Sequence, residues 1–165
     1  MNYIDIKKLN VYLSDITRKE IHSKIKILNN INISISKGEI FGIVGPTGCG
    51  KTILLKTIIG IVKPSEGYIF KDGIDITYTN PFLRNMSIVF QDYALYPHLT
   101  SKENILIPFF MRKYKDNYPE IDPNERTMKV AEMLHINEEK LLNRKPKFIS
   151  GGEKQRVAIA KAIAI

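Results

Sequence analysis

Eight residues constrain this chain more than any others: Gly45-Pro46-Thr47-Gly48-Cys49-Gly50-Lys51-Thr52. Their spacing, G-x-x-x-x-G-K-T, is that of a phosphate-binding P-loop. The residue types follow from the task. A triphosphate must be wrapped by backbone N–H groups at close range, and side chains on the loop would hold it off. Gly45, Gly48 and Gly50 remove that obstruction and permit positive φ. Lys51 supplies a cation for the β- and γ-phosphates, and Thr52 supplies a hydroxyl for Mg²⁺. The flanks fit as well. Glu39-Ile40-Phe41-Gly42-Ile43-Val44 is a short apolar run that predicts a buried strand. Ile53 to Gly60 predicts a helix, stopped by Gly60 and then Pro64. The N-terminal N–H groups of such a helix favour an anion.

The chain has 165 residues and 44% hydrophobic content, which suits one globular domain with a real core. Its single Cys excludes a disulfide framework and fits a reducing compartment. Residues Met1 to Ile6 carry no signal-peptide pattern. Lys56, Lys63 and Pro108 break the longest apolar stretches, so none spans a bilayer as a helix, and a membrane role would be peripheral. The net charge of +8 raises nucleic acid or an anionic surface as partners. Its distribution argues against nucleic acid. Residues 1–100 and 101–165 each carry +4, so there is no basic tail. Nineteen of the 25 basic residues are Lys, which lacks the bidentate fork of Arg.

Taken in order, Tyr3-Ile4-Asp5-Ile6 and Leu9 to Leu13 predict strands, and the polar stretch Ser14 to Lys26 a hairpin tip or loop. Apolar and polar residues alternate from Ile31 to Ser36, as in a half-buried strand. Tyr68-Ile69-Phe70 is a short strand before the tight turn Lys71-Asp72-Gly73. Met86 to Phe90 predicts another strand, delivering Gln91 at its end. From Thr100 the pattern becomes helical. Ser101-Lys102-Glu103-Asn104 suits the cap of a helix through Ile105 to Phe109, limited by Pro108. Tyr114 to Asn124 reads as an exposed connection. Glu125 to Leu134 predicts an amphipathic helix with Met128, Val130, Ala131 and Leu134 as its apolar positions.

A second motif stands near the C-terminus: Ile149-Ser150-Gly151-Gly152-Glu153. Ser150 and Glu153 form a capping box that opens a helix. The box does not account for Gly151 and Gly152, which cost a helix about 1 kcal/mol each relative to Ala. They make sense where something approaches that N-terminus closely, and a phosphate is the natural candidate.

Gly45 to Thr52, Gln91, and Ile149 to Glu153 together resemble the nucleotide-binding domain of ATP-binding cassette (ABC) proteins. The last motif is similar to that family's Leu-Ser-Gly-Gly-Gln signature, with Ile and Glu at its ends. Val89 to Thr100, ending Tyr-Pro-His-Leu-Thr, resembles the Q-loop of ATPase subunits of small-solute importers. The resemblance implies an α/β P-loop NTPase fold, with a RecA-like core, an antiparallel β subdomain and a helical subdomain. Residues 1–165 would be a single partial ABC domain: 1–92 the β subdomain and P-loop core, 93–148 the helical subdomain, 149–165 the signature helix. The implied cofactors are ATP and Mg²⁺.

The resemblance also distributes roles. Gly45, Pro46, Thr47, Gly48, Cys49, Gly50, Lys51, Thr52 and Ile53 would surround the phosphates. Position 53 often carries a second hydroxyl in the family, and Ile53 offers none. Cys49 fills a variable loop position. Thr52 and Gln91 would serve Mg²⁺, and Lys51 and Gln91 are the residues present that bear on catalysis. Tyr12 would stack on adenine. Ser150, Gly151, Gly152 and Glu153 would contact the nucleotide of a second domain packed head to tail. A transmembrane permease subunit would dock beside the Q-loop, placing the chain in the cytoplasm on the inner face of the membrane. The alternative is a soluble ABC-type ATPase acting on ribosomes or nucleic acid, or a non-catalytic fragment. The family's Walker B strand, with its Asp-Glu ending, and its switch His follow the signature helix, and neither is found here. The chain therefore reads as truncated after the signature motif. The expectation for residues 1–165 is ATP binding without hydrolysis, which a phosphate-release assay tests.

Overall fold

The computed structural model describes residues 2–14, 24–110 and 120–164. They fall into two units, residues 1–86 and 87–165.

The first unit is an antiparallel sheet with one helix. Strands β1 (Asn2–Ser14), β2 (Lys24–Ser36), β3 (Glu66–Lys71) and β4 (Ile74–Asp75) lie in the order β2-β1-β3-β4. The two short runs expected around Ile4 and Val11 are one strand. Ile4 and Ile6 are buried on one side of the break and Leu9 and Val11 on the other, so the inward parity changes from even to odd. A strand's side chains alternate with period two, so an extra residue must sit between them. It lies at Lys7-Lys8, where the register shifts against both β2 and β3 and Lys8 adopts φ 51°. Gly67 makes room for it: a Cβ there would lie 2.4 Å from the Lys8 carbonyl oxygen. Buried Asn10 closes the bulge, donating to Glu66 Oε2 at 2.9 Å and accepting from the Asn30 amide at 2.9 Å. Asp72 and Gly73 both have positive φ, 48° and 77°, as the tight turn requires. Of the expected tip at Ser14 to Lys26, residues 15–23 lie outside the described residues, and its flanks pair as Ser14 with Lys24.

Helix α1 (Lys51–Ile58) lays Leu54 into the sheet's core of Ile4, Ile6, Leu9, Val11, Leu28, Ile69 and Ile76. Two expected strands are absent. Glu39–Val44 and Met86–Phe90 make no ladder among the described residues. A strand is a property of a pair, and these apolar runs have no partner edge here.

The second unit is helical. Helix α2 (Ser101–Leu106) continues as a 3₁₀ turn, Ile107–Phe110. Its cap is Thr100, one residue earlier than expected, with Glu103 completing the box. Helix α3 (Pro123–Met133) is capped by Asp122, whose carboxylate accepts from the Asn124 and Glu125 amides. Val130 and Ala131 are buried, and Met128 and Leu134 pack half-buried beside them, as the periodicity predicts. A π turn (Glu138–Leu142) and a 3₁₀ turn (Pro146–Phe148) lead to α4 (Gly151–Ile163). The core joins Ile105, Phe109, Val130, Leu142, Val157 and Ala160. Most of the expected connection from Tyr114 to Asn124 falls in residues 111–119, outside the described residues.

Candidate functional site

The loop from Gly45 to Thr52 turns into α1 through Gly48 and Gly50, at φ 84° and 98°. Gly50 is also a packing requirement, since a Cβ there would sit 3.0 Å from Leu28 Cδ2 and 3.3 Å from the Ile27 carbonyl oxygen. With its φ of 98°, this close approach to β2 favours glycine at this point. The first helical hydrogen bond runs from the Leu54 amide to the Gly50 carbonyl at 2.9 Å. The amides of Lys51, Thr52 and Ile53 come before it and have no helical acceptor. Lys51 curls back over the loop. Its Nζ donates to the carbonyls of Gly45 and Pro46, both at 2.7 Å, and lies 3.6 Å from Cys49 Sγ. Pro46, Thr47, Cys49 and Thr52 are exposed. Ile53 is half-buried against the sheet core, so that position serves packing.

Tyr12 lies on β1 in the same unit, half-buried, with its amide donating to Ser65 Oγ at 3.1 Å. Lys26 Nζ stands 5.4 Å from its ring centroid.

Gln91 and the Ser150 to Glu153 motif belong to the second unit. Gln91 is exposed and opens a turn that ends at Ala94. Ser150 caps α4 as the capping box predicts. Its Oγ accepts from the Glu153 amide at 3.4 Å, while its own amide donates to Glu153 Oε2 at 2.7 Å and its hydroxyl donates to the same oxygen at 2.8 Å. Those backbone and hydroxyl donors hold the Glu153 carboxyl below its ordinary pKa, with Arg156 and Arg144 adding to the effect. Gly151 and Gly152 are exposed. A Cβ at Gly152 would meet nothing within 4 Å, and one at Gly151 only Tyr93 Oη at 3.8 Å. The protein's own packing therefore does not require these two glycines, and the open space lies at a helix N-terminus.

Three polar side chains that position these loops were not singled out in the sequence. Arg84 is buried and donates to the carbonyls of Thr57, Ile58, Thr77 and Thr79, tying the end of α1 to the turn that follows β4. Asn104 is buried in α2 and bonds the backbone of Tyr96, Leu99 and Thr100. Lys161 on α4 donates to the Ala94 carbonyl at 3.0 Å. Lys161 alone had a readable signal, a charge falling on the helix face of Val157 and Ala158.

Residues 28–165 match the family model described as ABC transporter. The chain belongs to the ABC transporter family. A molybdate/tungstate import ATP-binding protein of Pyrococcus abyssi is 45% identical over 84% of this ABC chain. A spermidine/putrescine import ATP-binding protein of Thermotoga maritima is 37% identical over 98% of it, and an sn-glycerol-3-phosphate import ATP-binding protein of Bartonella bacilliformis is 40% identical over 88%. The chain spans 38–41% of the length of these three relatives. Among solved structures, a dimer of the ATP-binding cassette MJ0796 bound to ADP and Pi superposes with TM-score 0.80 and 31% identity. That match covers 98% of this chain and 69% of the other. The fold is accordingly α/β, of the P-loop NTPase type. Among the described residues, no helix is long and apolar enough to cross a membrane.

Proposed function

We propose that this chain is the ATP-binding part of an ABC importer. The observation that carries the reading is the loop at α1, where glycine backbone, three amides without a helical acceptor and one ammonium lie together. That set fits the triphosphate of ATP with Mg²⁺. The amides of Lys51, Thr52 and Ile53 and the Lys51 ammonium would take the phosphate oxygens, and Lys51 would exchange the carbonyls of Gly45 and Pro46 for them. Thr52 would offer its hydroxyl to the metal, and Gln91 is read as a metal-serving residue by the family resemblance. The metal would neutralise charge building on the phosphates. Tyr12 would carry the adenine on its ring face. Ser150 to Glu153 would read the nucleotide of a second cassette, and their open space suits a phosphate arriving from outside the chain. The partition into a core to residue 92, a helical subdomain from 93 to 148 and a signature helix from 149 belongs to the same reading.

The relatives named above import three unlike solutes, so these residues are read for ATP and not for cargo. Calorimetry tests the loop. Wild type should bind ATP·Mg²⁺, and Lys51→Ala should weaken binding by about a hundredfold, as loss of a charged phosphate partner implies. Equal affinities would remove the assignment.

The partner would be a permease, met by the segment from Gln91 to Thr100 on the inner face of the membrane. A crosslinker on Tyr96→Cys or His98→Cys should capture an integral membrane protein. Capture of ribosomal protein or nucleic acid would favour a soluble role.

A further inference from the structure

The turn after Gln91 is held in a backbone conformation its sequence does not favour. Tyr93 and Ala94 sit in the left-handed region, at φ 64° and 46°. Neither is Gly, Asn or Asp, and such a pair persists only where the surroundings over-determine it. Three anchors do so. The Tyr93 amide donates to the Phe90 carbonyl at 2.9 Å. Asn104 grips Tyr96 on both sides, accepting from its amide at 2.7 Å and donating to its carbonyl at 3.1 Å. The third anchor is Lys161, about three turns along α4 from Ser150. Its ammonium donates to the Ala94 carbonyl at 3.0 Å and lies 4.5 Å from the centroid of the Tyr96 ring.

We propose that Lys161 is a positioning residue: it fastens the Ala94 carbonyl and the Tyr96 ring to α4, so that the turn carrying Gln91 and the helix opened by Ser150 shift as one piece. This rests on the reading of Gln91 and Ser150 to Glu153 as nucleotide-responsive. A carbonyl oxygen and an aromatic face both attract a cation, and partial burial strips away the water that would compete. That burial also draws the Lys161 pKa down. A methionine would fill the same space with neither attraction.

Hydrogen–deuterium exchange on the full chain tests this. Without nucleotide, Lys161→Met should speed exchange across Gln91 to Tyr96 about tenfold, while Val157 to Ala160 keeps its protection. Lys161→Arg, which keeps the cation, should restore the wild-type rate. Should Lys161→Met fail to fold, Tyr96→Leu at the exposed ring should give about threefold. An unchanged turn, or an arginine that does not rescue, overturns the proposal. On adding ATP·Mg²⁺, wild type should change at Gln91 to Tyr96 and at Ser150 to Glu153 together. In Lys161→Met the two should respond separately, and a joint response there overturns the linkage. No response at all in wild type rejects the nucleotide reading, while the nucleotide-free comparison still judges the fastening.

Discussion

Arg84 shows what one residue can hold and how little of that the sequence discloses. It is 3% exposed, and its partners are four carbonyl oxygens, with burial drawing its pKa down. Two of those carbonyls, Thr57 and Ile58, end the helix that follows the phosphate loop. A cation suits that end, where the helix dipole is negative. Arg84→Leu would leave these acceptors buried and unmet. We expect a loss of about 3 kcal/mol, read as a lower urea midpoint with an unchanged slope. A lone Arg after Leu83 looks like any surface charge, and only the fold brings carbonyls from residues 57 and 77 to it. Lys51, by contrast, was legible because its chemistry is local. The loop that presents it and the helix that follows are adjacent in sequence.

At the scale of elements, helix starts were written in the chain and strand pairings were not. Two capping boxes, Thr100 with Glu103 and Ser150 with Glu153, open α2 and α4. Each box is built from neighbours three apart, so sequence suffices to find it, to within the one residue by which α2 was misplaced. Both carboxyls are held below their ordinary value of 4.5 by the backbone amide, then the hydroxyl, of the capping residue. A lowered folded pKa contributes stability that is complete above the unfolded value and drains away as pH falls through the folded one. Helical signal in circular dichroism should therefore be flat from pH 8 to 6 and fall below about pH 4.5. The double variant Glu103→Gln, Glu153→Gln should remove part of that fall, and an identical titration would show that other carboxylates dominate. Ser150→Ala should cost about 1 kcal/mol at neutral pH.

For the whole molecule, the apolar runs at residues 39–44 and 86–90 matter most. Ile40 is 100% exposed and Val44 93%. Phe41 and Val89 are exposed as well. The sequence predicts strands at both runs, the first of them buried, and the structure leaves all four side chains exposed with no ladder among the described residues. Pairing depends on a second strand at the right edge, which no local pattern encodes. Open backbone edges with apolar side chains draw other chains. The 165-residue polypeptide should scatter light at micromolar concentration, and Ile40→Thr with Val44→Thr should suppress this. Equal scattering would place the sticky surface elsewhere, with Tyr78, Phe82 and Leu83 the next exposed group.

The bulge in β1 bears on how this strand tolerates changes of length. Removing one residue from an ordinary strand turns everything beyond the cut inside out. Between Ile6 and Leu9 the outcome reverses. Deleting Lys8 would put Ile4, Ile6, Leu9 and Val11 into unbroken alternation, all still facing the core. The same deletion withdraws the Lys8 carbonyl, which stands 2.4 Å from a Cβ at position 67, but leaves the Lys7 carbonyl at 2.6 Å and the φ of 88°. Gly67→Ala should thus be harmful in the full-length strand and less harmful, though still costly, once Lys8 is gone. That epistasis, a deletion that partly rescues a substitution on the neighbouring strand, is measurable as a double-mutant cycle in unfolding free energy.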